Sequence, residues 1–104
     1  QLAENIEAIR QRERGLQLYD DAFADFFANK EIEARKKLAE ALKIVPEQVR
    51  KLESDSYQSA LALQNAGDFT GSRQELIKVL FLNPDNLNAR EMLTRIEEIL
   101  QLNQ

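Results

Sequence analysis

Two stretches of this sequence share one pattern, and each ends in a proline. Residues 34–46 and residues 72–84 both place a small residue first, a leucine four positions on, a small or medium apolar residue three further on, and a proline five after that. The two copies begin 38 residues apart. Because proline cannot continue a helix and restricts the residue before it, each copy predicts a helix that ends in a turn. The spacing therefore predicts a helical unit that occurs twice.

The composition favours helix nearly throughout. The 104 residues include only three glycines and two prolines, too few for a sheet with many tight turns. The longest apolar run, residues 79–82, is far short of the roughly 18 residues that a membrane span needs. We therefore predict an all-α fold and no membrane insertion.

Several classes of function are disfavoured by what the sequence lacks. The net charge of −4 argues against nucleic acid and anionic membranes as partners. The absence of cysteine and histidine removes thiolate metal sites, imidazole bases and the commonest zinc ligand. There is no glycine-rich phosphate loop and no nucleophile with an adjacent base. We expect no enzyme, no cofactor and no metal, and the cellular compartment stays open.

The apolar spacing predicts five helices, at about residues 3–28, 31–45, 47–66, 70–82 and 86–101. Gly15 leaves two readings of the first, a break or one long helix, and we favour the long helix. Residues 29–30 and Gly67 are expected at helix ends. The predicted caps of the fourth helix are Asp68 or Thr70, or Ser72 with Glu75, and that of the fifth is Asp85. The predicted inward residues of the second helix are Ile32, Leu38, Ala41, Leu42 and Val45.

Aligning the two copies upstream places Tyr19 on Tyr57 and Ala22 on Ala60. Each unit then reads helix, short turn, helix, proline, and over residues 16–101 this resembles the tetratricopeptide repeat family. The resemblance implies a right-handed stack of antiparallel helix pairs, an α-solenoid of about two and a half repeats in one domain over residues 1–104. The period of 38 exceeds the family's 34, and leucine stands where the family's second helix has an aromatic residue. An unrelated antiparallel helical bundle is the alternative.

The resemblance also implies a function, because such domains bind peptide segments on the concave surface lined by their first helices. We expect a protein–protein interaction module or scaffold whose partner is another protein or a peptide segment. The residues expected to contact it are Tyr19, Phe23, Tyr57, Leu61, Gln64, Asn65 and Arg90. Phe23 and Leu61 are open to a second interpretation as core residues. Capture of a C-terminal carboxylate in the family's manner is not expected, because the corresponding stretches are acidic or neutral.

A second function class is a structural element that self-associates through its terminal helices into a homo-oligomer. Exposed apolar residues on the fifth helix would favour it, namely Leu93, Ile96 and Leu100. The chain starts at Gln1 and its only methionine is Met92, so we expect a mature form or a piece of a longer protein.

Three other features have plain structural readings. The carboxylates Asp21 and Asp25 are four residues apart, and we expect a solvated helix face there. The same holds for the basic residues between Arg10 and Arg14 and between Arg35 and Lys37. Phe81 either packs inside the protein, which we favour, or is an exposed anchor for a neighbour.

Overall fold

The structure, a computed structural model, describes residues 2–102, with side chains from Asn5 to Leu102. These residues contain no strand and form five α-helices: α1 (Leu2–Phe27), α2 (Glu31–Ile44), α3 (Gln48–Asn65), α4 (Phe69–Leu82) and α5 (Leu87–Leu102). The predicted all-α class is confirmed. Within residues 2–102, no helix combines the length and the apolar character needed to cross a bilayer. The helices fall into two compact units, a first ending at Val49 and a second beginning at Arg50.

In the first unit, α1 and α2 pack side by side as an antiparallel pair. Contacts between them run in opposite directions along the two helices, from Asp25 with Lys37 to Arg12 with Glu47. Gly15 lies buried inside α1, with no break in the helix there. The single long helix is therefore confirmed, and the alternative of a break at Gly15 is wrong.

The turns α1–α2 and α3–α4 have the same geometry 38 residues apart. Asn29 and Gly67 both adopt a positive φ, 64° and 83°. The N–H of Lys30 bonds to Asp25 O and that of Asp68 to Leu63 O, each at 2.8 Å. These bonds form the Schellman motif, in which a left-handed residue lets the chain reverse while satisfying the last helical carbonyls.

The two proline turns also recur at this interval. Val45 O accepts from the N–H of Gln48, and Asn83 O accepts from that of Asn86, both at 3.2 Å. The proline occupies the second position of each turn, where its fixed φ is favourable. Each proline thus separates two helices within a few residues, as predicted.

The second unit has a core built from α3, α4 and α5. Its buried residues share one cluster: Ala60, Leu76, Val79, Ala89, Met92 and Ile96. Ser72 on α4 is also buried, and its hydroxyl donates to Ala60 O on α3 at 2.8 Å. This bond satisfies a polar group at a helix contact where a larger side chain would not fit.

Two predictions about individual residues are wrong. Ile32 is 70% exposed, because it lies two residues before Ala34 and so about 200° around the helix from the buried stripe. Asp85 does not cap α5. Asn86 does so, accepting from the N–H of Ala89 at 3.0 Å. Phe81 is only 3% exposed, which confirms packing and excludes an exposed anchor.

Candidate functional site

The seven residues expected at a partner surface lie in both units. Tyr19 and Phe23 belong to α1 in the first unit. The other five belong to the second unit: Tyr57, Leu61, Gln64 and Asn65 on α3, and Arg90 on α5.

Tyr19 has a structural role within the first unit. It is 1% exposed, and its hydroxyl donates to Val45 O at 2.7 Å. Burial raises the pKa of this phenol above its ordinary value, and the Glu47 carboxylate raises it further. Phe23, one turn further along α1, is half-buried. Tyr19 therefore holds the C-terminal end of α2 against α1 and has almost no surface to offer a partner.

Three of the expected residues form a stripe along α3. Tyr57, Leu61 and Gln64 are spaced at i, i+4 and i+7, so they lie on one face of the helix, and all three are half-buried. Tyr57 and Leu61 pack partly against the core of the second unit, which fixes their positions. Asn65 at the end of α3 is exposed, and exposed Arg90 donates to Pro84 O. The α3 stripe thus combines a rigid base with accessible side chains.

A cleft of about 200 Å³ extends this stripe toward the start of α3. Its lining comes from the first half of α3 and the start of α5: Arg50, Glu53, Ser54, Tyr57, Asn86 and Asn88. Of these, only Tyr57 was expected from the sequence. Continuing the helical spacing backwards from Tyr57 would have reached Ser54, Glu53 and Arg50, but nothing in the sequence pattern brings α5 beside them.

Glu53 orders one side of the cleft. Its Oε2 atom accepts hydrogen bonds from the amides of Asn83, at 2.9 Å, and Asn86, at 2.7 Å. The oxygens of the same two amides accept backbone N–H groups of Asp85 and Ala89. One carboxylate therefore connects α3 to the proline turn and to the cap of α5. Such a connected network gives the cleft a defined shape.

A second, larger depression lies between the start of α4 and the end of α5. It measures about 410 Å³ and is lined by Thr70, Arg73, Glu97, Leu100 and Gln101. Arg73 and Glu97 face each other at 3.6 Å across it, and both are about half exposed. Its charges are already paired with each other, so it offers a ligand less than the cleft on α3 does.

The charged clusters are engaged in ordinary surface contacts. Asp25 pairs with Lys37 at 2.6 Å, and this hydrogen bond raises the pKa of the lysine. Asp21 accepts from Gln17 at 3.0 Å. Over the described residues, no group of three or more acidic side chains is placed to hold a metal ion. The basic residues make similar surface pairs, among them Arg12 with Glu47, Arg14 with Glu40 and Arg35 with Glu31.

Comparisons with protein-family models, with curated protein sequences and with solved structures found no match to this chain.

Proposed function

We propose that this chain is a protein–protein interaction module that binds a segment of another protein along α3, in the manner of a tetratricopeptide-like domain. The partner segment would lie over Tyr57, Leu61 and Gln64. The stacking of helix pairs into a solenoid belongs to this proposal. The observation that carries it is the α3 stripe, which is firmly based on the core yet open along one edge.

Preorganisation is the physical basis of the proposed binding. Tyr57 is held by its packing against the core, and the adjacent cleft is ordered by the hydrogen bonds of Glu53. Ordering a flexible side chain at an interface costs roughly 0.5–1.5 kcal/mol. Residues that are already ordered avoid that loss, so the partner segment is the side that must become ordered.

The helix boundaries support the tetratricopeptide-like arrangement. α2 and α4 begin at residues 31 and 69 and end at residues 44 and 82, an interval of 38 in both cases. The small residues that open the two sequence copies, Ala34 and Ser72, are both fully buried. A small residue at this position lets the second helix of each pair approach its neighbour closely.

A display selection tests the proposal. The immobilised chain is offered a library of random peptides, and bound peptides are measured again on two variants. Gln64→Arg alters the α3 stripe, whereas Ser59→Arg changes an exposed residue about 200° around the same helix from Tyr57. We expect Gln64→Arg to weaken binding and Ser59→Arg to leave it unchanged. Failure to select any peptide would overturn the proposal.

The competing function is self-association through terminal helices, and one observation favours it. Ile6 and Ile9 on α1 are 46% and 58% exposed. Ile96 cannot serve this role or test it, because it is fully buried in the core of the second unit. Light scattering on the chain and on Ile9→Glu decides between the two functions. A dimer that this substitution converts to a monomer would establish self-association.

A further inference from the structure

The cleft on α3 has a closed counterpart 38 residues earlier in the chain. Three positions correspond: Arg12 with Arg50, Tyr19 with Tyr57, and Glu47 with Asp85. In the first unit these groups bond to each other or to nearby backbone. In the second unit the arginine and the tyrosine line an open space. The closed counterpart therefore shows which chemical groups can occupy such a site.

In the first unit, a glutamate side chain and a backbone carbonyl fill this place. Arg12 Nη1 lies 2.8 Å from Glu47 Oε1, and the Tyr19 hydroxyl donates to Val45 O. The pKa of the Glu47 carboxyl lies below its usual range, because hydrogen bonds from its own backbone N–H and from Arg12 favour the charged form. A carboxylate is thus the natural partner of the arginine at this position.

In the second unit, neither bond forms among the described residues. Arg50 makes no ion pair there, and the hydroxyl of Tyr57 makes no hydrogen bond. Asp85 is one methylene shorter than Glu47, and its backbone N–H is bonded to the side chain of Asn83 at 3.1 Å. The site consequently keeps its cationic group and its donor hydroxyl, but lacks the carboxylate that its counterpart contains.

We propose that the cleft lined by Arg50, Ser54, Tyr57 and Asn88 binds the side-chain carboxylate of a glutamate or aspartate in a partner segment. Arg50 supplies the positive charge, and a planar guanidinium suits a carboxylate because two N–H groups can reach both oxygens. The hydroxyls and the Asn88 amide supply further donors. This inference rests on the proposed function and specifies the partner as an acidic segment. The cleft lies on the first half of α3, away from the stretch around Ser56 and Gln58 considered in the sequence for a C-terminal carboxylate.

Glu53 sets a limit on what the cleft accepts. Its own carboxylate lies in the lining, and its Oε2 is occupied by the amides of Asn83 and Asn86. A second negative charge nearby is tolerated only because Arg50 is free to balance it. The arrangement favours a group with a single negative charge over a doubly charged phosphate.

The test is an NMR titration of the full chain with short acetylated and amidated peptides. One peptide alternates glutamate with alanine, a second has glutamine for glutamate, and a third is the glutamine peptide with a free C-terminal carboxylate. We expect the glutamate peptide to shift the amide signals of Arg50, Tyr57 and Asn88, and the amidated glutamine peptide to shift none of them. Equal binding of the first two peptides, or binding of the third alone, would overturn the inference.

Two arginine variants and one tyrosine variant sharpen this result. Arg50→Gln removes the proposed cation, whereas Arg95→Gln makes the same charge change at an exposed residue of α5 outside the cleft. We expect Arg50→Gln to weaken the glutamate peptide about fivefold, as for a partly exposed ion pair, and Arg95→Gln to have no such effect. Tyr57→Phe, which removes one hydroxyl, should weaken it less. Equal losses in the two arginine variants would show a nonspecific charge effect and overturn the inference.

The peptides from the display selection separate this inference from the function on which it rests. Selected peptides that are rich in acidic residues and lose affinity in Arg50→Gln support both. Selected peptides that depend on Gln64 but not on Arg50 leave the interaction module standing and overturn the carboxylate site. A selection that yields no peptide overturns both.

Discussion

Gly15 determines how closely α1 and α2 approach each other. A Cβ atom at this position would lie 2.5 Å from Val45 Cγ2 and 2.8 Å from Ile44 Cγ2. Both distances are shorter than atoms in contact can adopt, so the glycine is needed for the packing of the pair. The usual penalty of glycine inside a helix, about 1 kcal/mol, is offset here by contact between the helices.

We predict that Gly15→Ala destabilises the protein by about 1–3 kcal/mol, the range for overpacked sites. At an unconstrained helix position the same change would stabilise it, so the sign of the effect is informative. Urea unfolding followed by circular dichroism measures it. Combining the change with Val45→Ala, which removes the nearest methyl, should reduce the loss. A net stabilisation by Gly15→Ala alone would contradict the close approach.

The two tyrosines at corresponding positions provide a matched pair. Tyr19→Phe removes a hydroxyl that donates to Val45 O in a buried place, and we predict a loss of about 1 kcal/mol. The loss stays modest because Val45 O retains the N–H of Gln48 as a donor. Tyr57→Phe removes a hydroxyl without such a bond and should change the free energy of unfolding very little. Equal effects in the two variants would contradict this assignment.

The raised pKa of Tyr19 predicts a stability that depends on alkaline pH. Below about pH 10 the phenol is neutral in both the folded and the unfolded chain, so its contribution is complete. Above that pH the unfolded chain ionises first, and the free energy of unfolding falls until the folded phenol ionises too. The stability difference between the wild type and Tyr19→Phe should therefore shrink as the pH rises beyond 10. Urea unfolding at successive pH values measures it, and a constant difference would count against the prediction.

At the scale of elements, the start of α5 depends on the side chain of Asn86. Its Oδ1 accepts from the N–H of Ala89, and its amide donates to Glu53. We predict that Asn86→Ala costs about 1–2 kcal/mol, the upper range for a lost helix cap. Asp85→Ala should cost almost nothing, because its carboxylate caps no helix. Thermal unfolding of both variants tests this, and a larger loss for Asp85→Ala would reverse the assignment.

At the scale of the whole molecule, the second unit contains a complete core. Every residue of its buried cluster lies between Ala60 and Ile96, and the cluster draws on three helices. We predict that a fragment of residues 46–104 is helical and unfolds cooperatively. Leu76→Ala should destabilise it by about 2–5 kcal/mol, and Leu102→Ala, at an 86% exposed position, should not. A gradual, noncooperative loss of helix in the fragment would contradict an independent core.

The candidate site shows where prediction from the sequence reaches its limit. Tyr57, Leu61 and Gln64 could be placed on one face of α3 because helical spacing is a local property. The cleft could not be predicted, because it requires the start of α5 to lie beside Arg50 and Glu53, and no local pattern encodes that neighbour. Asn86 was missed as a cap because Asp85 satisfies the same residue preference one position earlier.

The sequence by itself determined the helices and their ends, since prolines, turn residues and apolar spacing act within a few residues of where they stand. Only the tertiary structure decided what the paired positions became. Gly15 and Glu53 occupy corresponding places, and their different sizes set the contact of each helix with the turn beyond it. In the first unit the close approach brings Tyr19 onto Val45 O, whereas in the second Glu53 reaches Asn83, and Tyr57 is left lining a cleft. The fate of two identical tyrosines thus depended on distances between helices, which local sequence does not specify.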